Sequence, residues 1–147
     1  MRHLLAVIRA TVLLWALGAS WLAAPARAEV SAESAQAVQT TVRAQLAAFA
    51  ADDAERAFAF ASLTIRTMFQ TPENFLAMVR QAYPVVYRPA QVLFLSPRAL
   101  DAAVVQPVQL KDAAGQSWLA MYTLERQDDG RWLINGCVLV PDRTLGA

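Results

Sequence analysis

Partway along the chain the spacing of apolar residues changes period, and that change limits the folds open to it. Val38, Val42, Leu46 and Phe49 recur three or four apart, and Phe75, Val79 and Tyr83 four apart. Such spacing puts side chains on one face of an α-helix. Beyond Pro84 it gives way to alternation. Trp118, Ala120, Tyr122 and Leu124 stand two apart, as do Trp132, Ile134, Gly136 and Val138. That is the spacing of a strand with one face buried. Helices first and strands afterwards describe an α+β domain: N-terminal helices packed on one face of a curved antiparallel sheet of about four strands.

The boundaries follow from local chemistry. A helix is predicted over 31–51, with Ser31 as N-cap and Glu33 at the positive end of its dipole. Asp52-Asp53-Ala54-Glu55 has the form of a capping box, so a second helix is predicted to start on Asp52, with Glu55 reaching back. Thr71-Pro72-Glu73 signals another start, and Tyr83-Pro84 an end. Val85 to Pro89 then reads as extended. Strands are predicted over 91–96, 102–110, 117–125 and 131–140, and Pro107 argues for an edge or a bulge. The third and last strands are apolar on both faces (Leu119 and Met121; Cys137 and Leu139 beside Val138 and Val140). A sheet covered on one side alternates with polar residues. The outer face is therefore expected to pair with a second copy in a two-fold homodimer.

The first 28 residues read differently. Arg2, His3 and Arg9 precede the apolar run Thr11–Ala24, and Ala26-Arg27-Ala28 offers a small-x-small cleavage site. This is the pattern of a secretory signal peptide cut after Ala28, which places a single domain of residues 29–147 in the periplasm or outside the cell. An uncleaved anchor is the alternative, although the run falls short of the roughly 20 apolar residues a span needs. After cleavage no membrane contact is expected. Without Arg2, Arg9 and Arg27 the 13 basic side chains become ten, against 12 acidic ones. The arginines are scattered, which leaves no nucleic-acid footprint.

Cleavage would also remove His3, the only histidine. A Ser-His-Asp or Cys-His arrangement and a histidine metal site are then out of reach within one chain. With Cys137 the only cysteine, there is no internal disulfide. No metal site, no cofactor and no catalytic residue are assigned.

Three stretches together resemble a known superfamily: "QLAAFAADDAERAFAFAS", then Phe75, Met78-Val79 and Tyr83, then "DGRWLINGCVLV". In this order, over nearly all of residues 35–140, they look like the nuclear transport factor 2-like superfamily, and within it a bacterial family of unknown function. The resemblance implies a cone, in which a curved sheet wraps a long helix and leaves a pocket at its open end. Superfamily members include isomerases, dehydratases, polyketide cyclases, binding subunits and immunity-type proteins, so the fold implies a pocket and not a reaction. Many of the enzymes use a pocket histidine, and the domain after Ala28 has none.

Residues for such a pocket are chosen by the needs of their polar ends. A buried Tyr or Trp must find a partner for its OH or NH, which singles out Tyr83, Tyr87, Trp118 and Tyr122. Asn135 inside an apolar strand has the same need, unless it faces solvent or bonds to loop backbone. Phe69 lies toward the same end. Arg66 is placed to hold an anionic group bidentately, or else to pair with Glu73 or Glu55. Phe58, Phe75 and Trp132 read as core. The expected function is an exported, non-catalytic module that holds a small apolar or amphipathic ligand, or a protein segment. The alternative is a cofactor-free isomerase or lyase that pairs Asp53 with Tyr83 or Tyr122. The positions of Asp53 and Glu55, in the pocket or capping a wet helix end, separate the two.

Overall fold

Four side-chain caps divide the N-terminal half of the molecule. A computed structural model describes residues 29–143; the predicted signal segment lies outside them. Ser31 Oγ accepts from the Ser34 amide at 3.1 Å and starts α1 (Ala32–Ala50). Asp53 Oδ1 accepts from the Arg56 amide at 3.0 Å and starts α2 (Ala54–Ala59). Ser62 starts α3 (Leu63–Phe69) through the Ile65 amide, and Thr71 starts α4 (Pro72–Ala82) through the Asn74 amide. Each bond satisfies an N–H that the first turn of a helix leaves without an intrahelical acceptor.

Two expectations need correction here. The cap of α2 is Asp53, one residue later than the capping-box pattern places it. Asp52 lies outside the helix with φ 55, a left-handed conformation that aspartate tolerates better than most residues. After Pro84 the chain is not extended but turns once more as α5 (Pro84–Tyr87), which buries Val85 and Val86. The proline that ends α4 is preset for the first position of the next turn.

The strands are β1 (Gln91–Phe94), β2 (Arg98–Leu100), β3 (Ala103–Lys111), β4 (Ser117–Arg126) and β5 (Trp132–Pro141). They form an open antiparallel sheet in the order β1-β3-β4-β5, with the short β2 also paired to β3. Pro107 sits inside β3, not at an edge. Opposite it the neighbouring strand breaks between Phe94 and Arg98, so no ladder partner there needs the N–H that proline lacks. Gln106, fully buried, donates its amide to the carbonyls of Leu95 and Pro107 and closes that gap.

The helices cover one face of the sheet. Val38, Val42, Leu46 and Phe49 of α1 meet Val108, Leu110, Ala120, Tyr122 and Leu124 in one apolar cluster. Phe75 of α4 gathers the rings of Phe49, Phe58 and Phe69, with centroids 5.8, 5.5 and 5.6 Å away. These are tilted arrangements of the kind aromatic pairs favour.

One irregularity in β5 governs the site. Leu124 faces Ile134, but Thr123 faces Gly136, so Asn135 is an extra residue without a partner in the ladder. This β-bulge reverses the alternation that follows. Trp132 and Ile134 lie on the helix-covered face as expected. Gly136 and Val138 do not: past the bulge it is Cys137 and Leu139 that pair with Tyr122 and Ala120 on the inner side. Val138 is left 62% exposed on the outer side.

Candidate functional site

The bulge, three helices and the middle of β4 line a half-open cavity of about 270 Å³. From α1 come Gln45 and Phe49; from α3, Ile65, Met68 and Phe69; from α4, Phe75, Met78 and Val79; from the sheet, Tyr122 and the run Ile134–Cys137. Tyr83 and Val86 complete it. No Asp, Glu, Lys, Arg or His lines the space. A cavity of this kind favours apolar contents, because a charge placed there would lose its hydration with nothing to replace it.

The polar groups around the cavity are mostly committed. Gln45 donates its amide to the Ala57 carbonyl at 3.1 Å, tying α1 to α2. Asn135 accepts from the Ser62 hydroxyl at 2.8 Å and donates to Glu125 at 2.9 Å. The bulge is thus pinned to the start of α3. Tyr83 donates to the Cys137 carbonyl at 3.5 Å. Tyr122 is the exception: it is 1% exposed, and the one polar side chain its hydroxyl meets is the Cys137 thiol, a weak partner. Burial pushes the Tyr122 pKa well above that of a free phenol, and the neighbouring Cys137 thiol adds to the shift. Burial pushes the thiol itself up to about 12, so it is a protonated group and not a thiolate nucleophile.

Of the seven residues chosen from sequence, Phe69, Tyr83, Tyr122 and Asn135 are brought together around this cavity. The other three lie elsewhere. Trp118 donates its indole N–H to Asp112 at 3.1 Å and lines a second, larger depression of about 880 Å³ with Tyr83, Arg88 and Leu139. Arg66 is on α3, half-buried, with an Nε that has no partner; it is not part of the cavity wall. Tyr87 belongs to an exposed cluster in which its hydroxyl, Arg80 (2.7 Å) and Arg88 (3.0 Å) all donate to Asp52. The Tyr87 bond first, and then the Arg80 guanidinium, hold the Asp52 carboxyl below the usual range.

Sequence reasoning missed Gln45, the two methionines and Cys137 as wall residues. Cys137 was hidden by the reversal at Asn135, yet an Asn-Gly pair inside an apolar run is a signal for a bulge. Asp53 settles the geometric question left open by the sequence. Its carboxylate is spent on the α2 cap at an exposed helix start, and it does not line the cavity. No carboxylate lines this cavity with Tyr83 and Tyr122; Asp112 shares with Tyr83 the neighbouring depression instead. Among the described residues no group of three His, Cys, Asp or Glu side chains is placed to hold a metal ion, and no helix is long and apolar enough to cross a membrane.

No curated protein matches the sequence. The profile of one family, described as a domain of unknown function (DUF4864), matches residues 31–147, the whole of the helix-and-sheet unit described above. The chain therefore belongs to the DUF4864 family.

Proposed function

We propose that this protein is an exported binding module that holds a small apolar molecule in the cavity behind the β5 bulge and catalyses no reaction on it. The observation that carries the reading is the make-up of the wall: aromatic and aliphatic side chains, two methionines, and no ionised group. Ligand pockets are concave, mostly apolar and equipped with a few polar groups. The volume of about 270 Å³ lies just below the usual range of about 300–1,000 Å³, which suits a small ligand. The order of helices and antiparallel strands also supports placing the family in the nuclear transport factor 2-like superfamily.

Native mass spectrometry of protein taken from its own periplasm tests this. The expected result is a chain beginning at Glu29 that carries a small-molecule adduct, lost in the variant Met78→Trp, which fills the cavity. A chain retaining Met1, or one that emerges empty and binds no apolar probe, would refute export or ligand holding respectively.

A homodimer through the outer sheet face belongs to the same proposal. Leu93, Leu119 and Val140 lie in one row across that face, and Met121 and Val138 in the next. Leu93 is 55% and Val138 62% exposed, the kind of apolar grouping that marks an interface in soluble proteins.

A further inference from the structure

β5 ends the sheet, and much of its outer edge is already taken by the chain itself. Bonding along an antiparallel pair alternates, so every second residue of an edge strand turns its N–H and C=O away from its neighbour. The Asp142 N–H bonds to the Ser117 carbonyl at 2.9 Å, and the Gln127 N–H to the Arg131 carbonyl at 2.7 Å. With the register on each side of the bulge, these bonds make Trp132, Ile134, Cys137, Leu139 and Pro141 the residues that turn away from β4. Thr41 Oγ1 donates to the Trp132 carbonyl at 3.3 Å. Ile134 bonds to the Phe60 carbonyl and the Ser62 N–H, both at 2.8 Å, so residues 60–62 run alongside as a short parallel bridge. Tyr83 reaches the Cys137 carbonyl at 3.5 Å, a long bond. Among the described residues nothing takes the outward N–H of Cys137 or either outward group of Leu139.

This open stretch borders the depression of about 880 Å³, which has Cys137 and Leu139 on one side and Tyr83, Pro84 and Val85 on the other, with Trp118 also in its wall. We propose that the groove binds an extended peptide segment of a partner protein. The segment adds a further strand to the edge of β5 from Cys137 to Pro141 and sets uncharged apolar side chains, two apart, in the depression. A donor at Cys137, a donor and an acceptor at Leu139 and an acceptor at Pro141 repeat at the spacing of a peptide backbone, which is what satisfies them together. Residues 60–62 already pair with the same edge, so the partner continues a pairing that the chain itself makes. The charges nearby are spent: Arg88 is paired with Asp52, and Asp112 accepts from Trp118 and the amides of Ala114 and Gln116. Strand addition of this kind draws affinity from main-chain bonds and selectivity from pockets for alternate side chains. The site does not depend on what the apolar cavity holds.

The probe is the uncharged peptide acetyl-Thr-Val-Thr-Val-Thr-amide, added to the nitrogen-15-labelled protein and followed by amide hydrogen exchange. At about ten times its Kd the peptide should slow exchange at Cys137 and Leu139 about tenfold. Val138, whose N–H faces Met121 on β4, should not change. Methylating the backbone nitrogens of one alternate set, either the valines or the threonines, removes the donors on one side of the peptide and keeps its side chains. One set should weaken binding about twentyfold or more, the worth of two backbone bonds, and the other less than about twofold. Serine in place of both valines should weaken binding about tenfold, because the depression loses its apolar contents. Equal binding of the two methylated peptides, or no change at Cys137 and Leu139 with millimolar peptide, would overturn the proposal. Undiminished binding of the serine peptide would overturn the apolar requirement. Exchange at Leu139 that slows with protein concentration alone would assign the edge to a second copy of this chain instead.

Discussion

At Asp53 the backbone takes φ −86 and the carboxylate meets the Arg56 amide; one residue earlier, at φ 55, Asp52 turns outward to two arginines and a tyrosine. The two substitutions should therefore behave differently. Asp53→Ala removes a cap and should lower stability by about 1 kcal/mol in urea unfolding. For Asp52 the loss should depend on salt and pH, since its partners are exposed. Its carboxyl is held below the usual range in the folded chain. It therefore contributes stability above the ordinary carboxylate pKa, and that contribution is lost as pH falls through the lowered value. Asn also tolerates φ 55, so Asp52→Asn should be less stable than the unaltered protein at pH 7 and 50 mM salt. The gap should close near pH 2 and shrink at 1 M salt; a gap that ignored both would refute the ion-pair account. At Cys137 the sign is opposite. The thiol titrates near 9 when unfolded and near 12 when folded, so its contribution is complete below pH 9 and declines above it. Unfolding free energy should fall by about 1 kcal/mol per pH unit from 9 upward. Cys137→Ala should show a shallower slope between pH 9 and 10, whatever its absolute stability.

Among the elements, α3 stands apart. It has no fully buried side chain, and Leu63 and Met68 are 69% and 66% exposed, yet Ile65, Met68 and Phe69 form part of the cavity wall. An element held by so little burial opens at low cost. Amide hydrogen exchange should be faster across α3 than across α1 or β4, and a bound ligand should slow it; equal protection in the free protein would argue against α3 as the way in. Ser62→Ala removes both the cap of α3 and the donor to Asn135, and should cost about 1–2 kcal/mol while loosening α3 selectively. The same region shows what the sequence could express. Caps, the long α1 and the alternation in β4 depend on near neighbours in the chain, and they were legible. The bulge at Asn135 was signalled locally only by the Asn-Gly pair, and the contact that fixes it is with Ser62, 73 residues away. With it went the inner position of Cys137, and hence the chemistry next to Tyr122. The start of α2 slipped by one residue for a related reason: Arg80, Tyr87 and Arg88, all distant in sequence, claim the carboxylate that local pattern alone assigns to the cap.

For the molecule as a whole, the bulge bears on assembly as well as on the site. It takes Cys137 and Leu139 off the outer face, so part of the two-sided apolar character of β5 is explained by the cavity and needs no partner. What remains outside is Val138 and Val140, next to Met121 and Leu119 on β4 and Leu93 on β1. Val138, on the edge strand β5, lies directly across from Met121 within this apolar surface, where a charge would be desolvated on pairing. In the monomer the same position is open to water, so Val138→Glu should leave the fold intact. Sedimentation of the unaltered domain at tens of micromolar should give twice the chain mass. Val138→Glu should give the chain mass, with an unchanged circular dichroism spectrum and unchanged binding of an apolar probe. The cavity is walled by one chain on the opposite face of the sheet, so binding and assembly should separate cleanly. A domain that stays monomeric at these concentrations would mean that the outer valines are merely tolerated exposure, and that only the inner face of this sheet carries function.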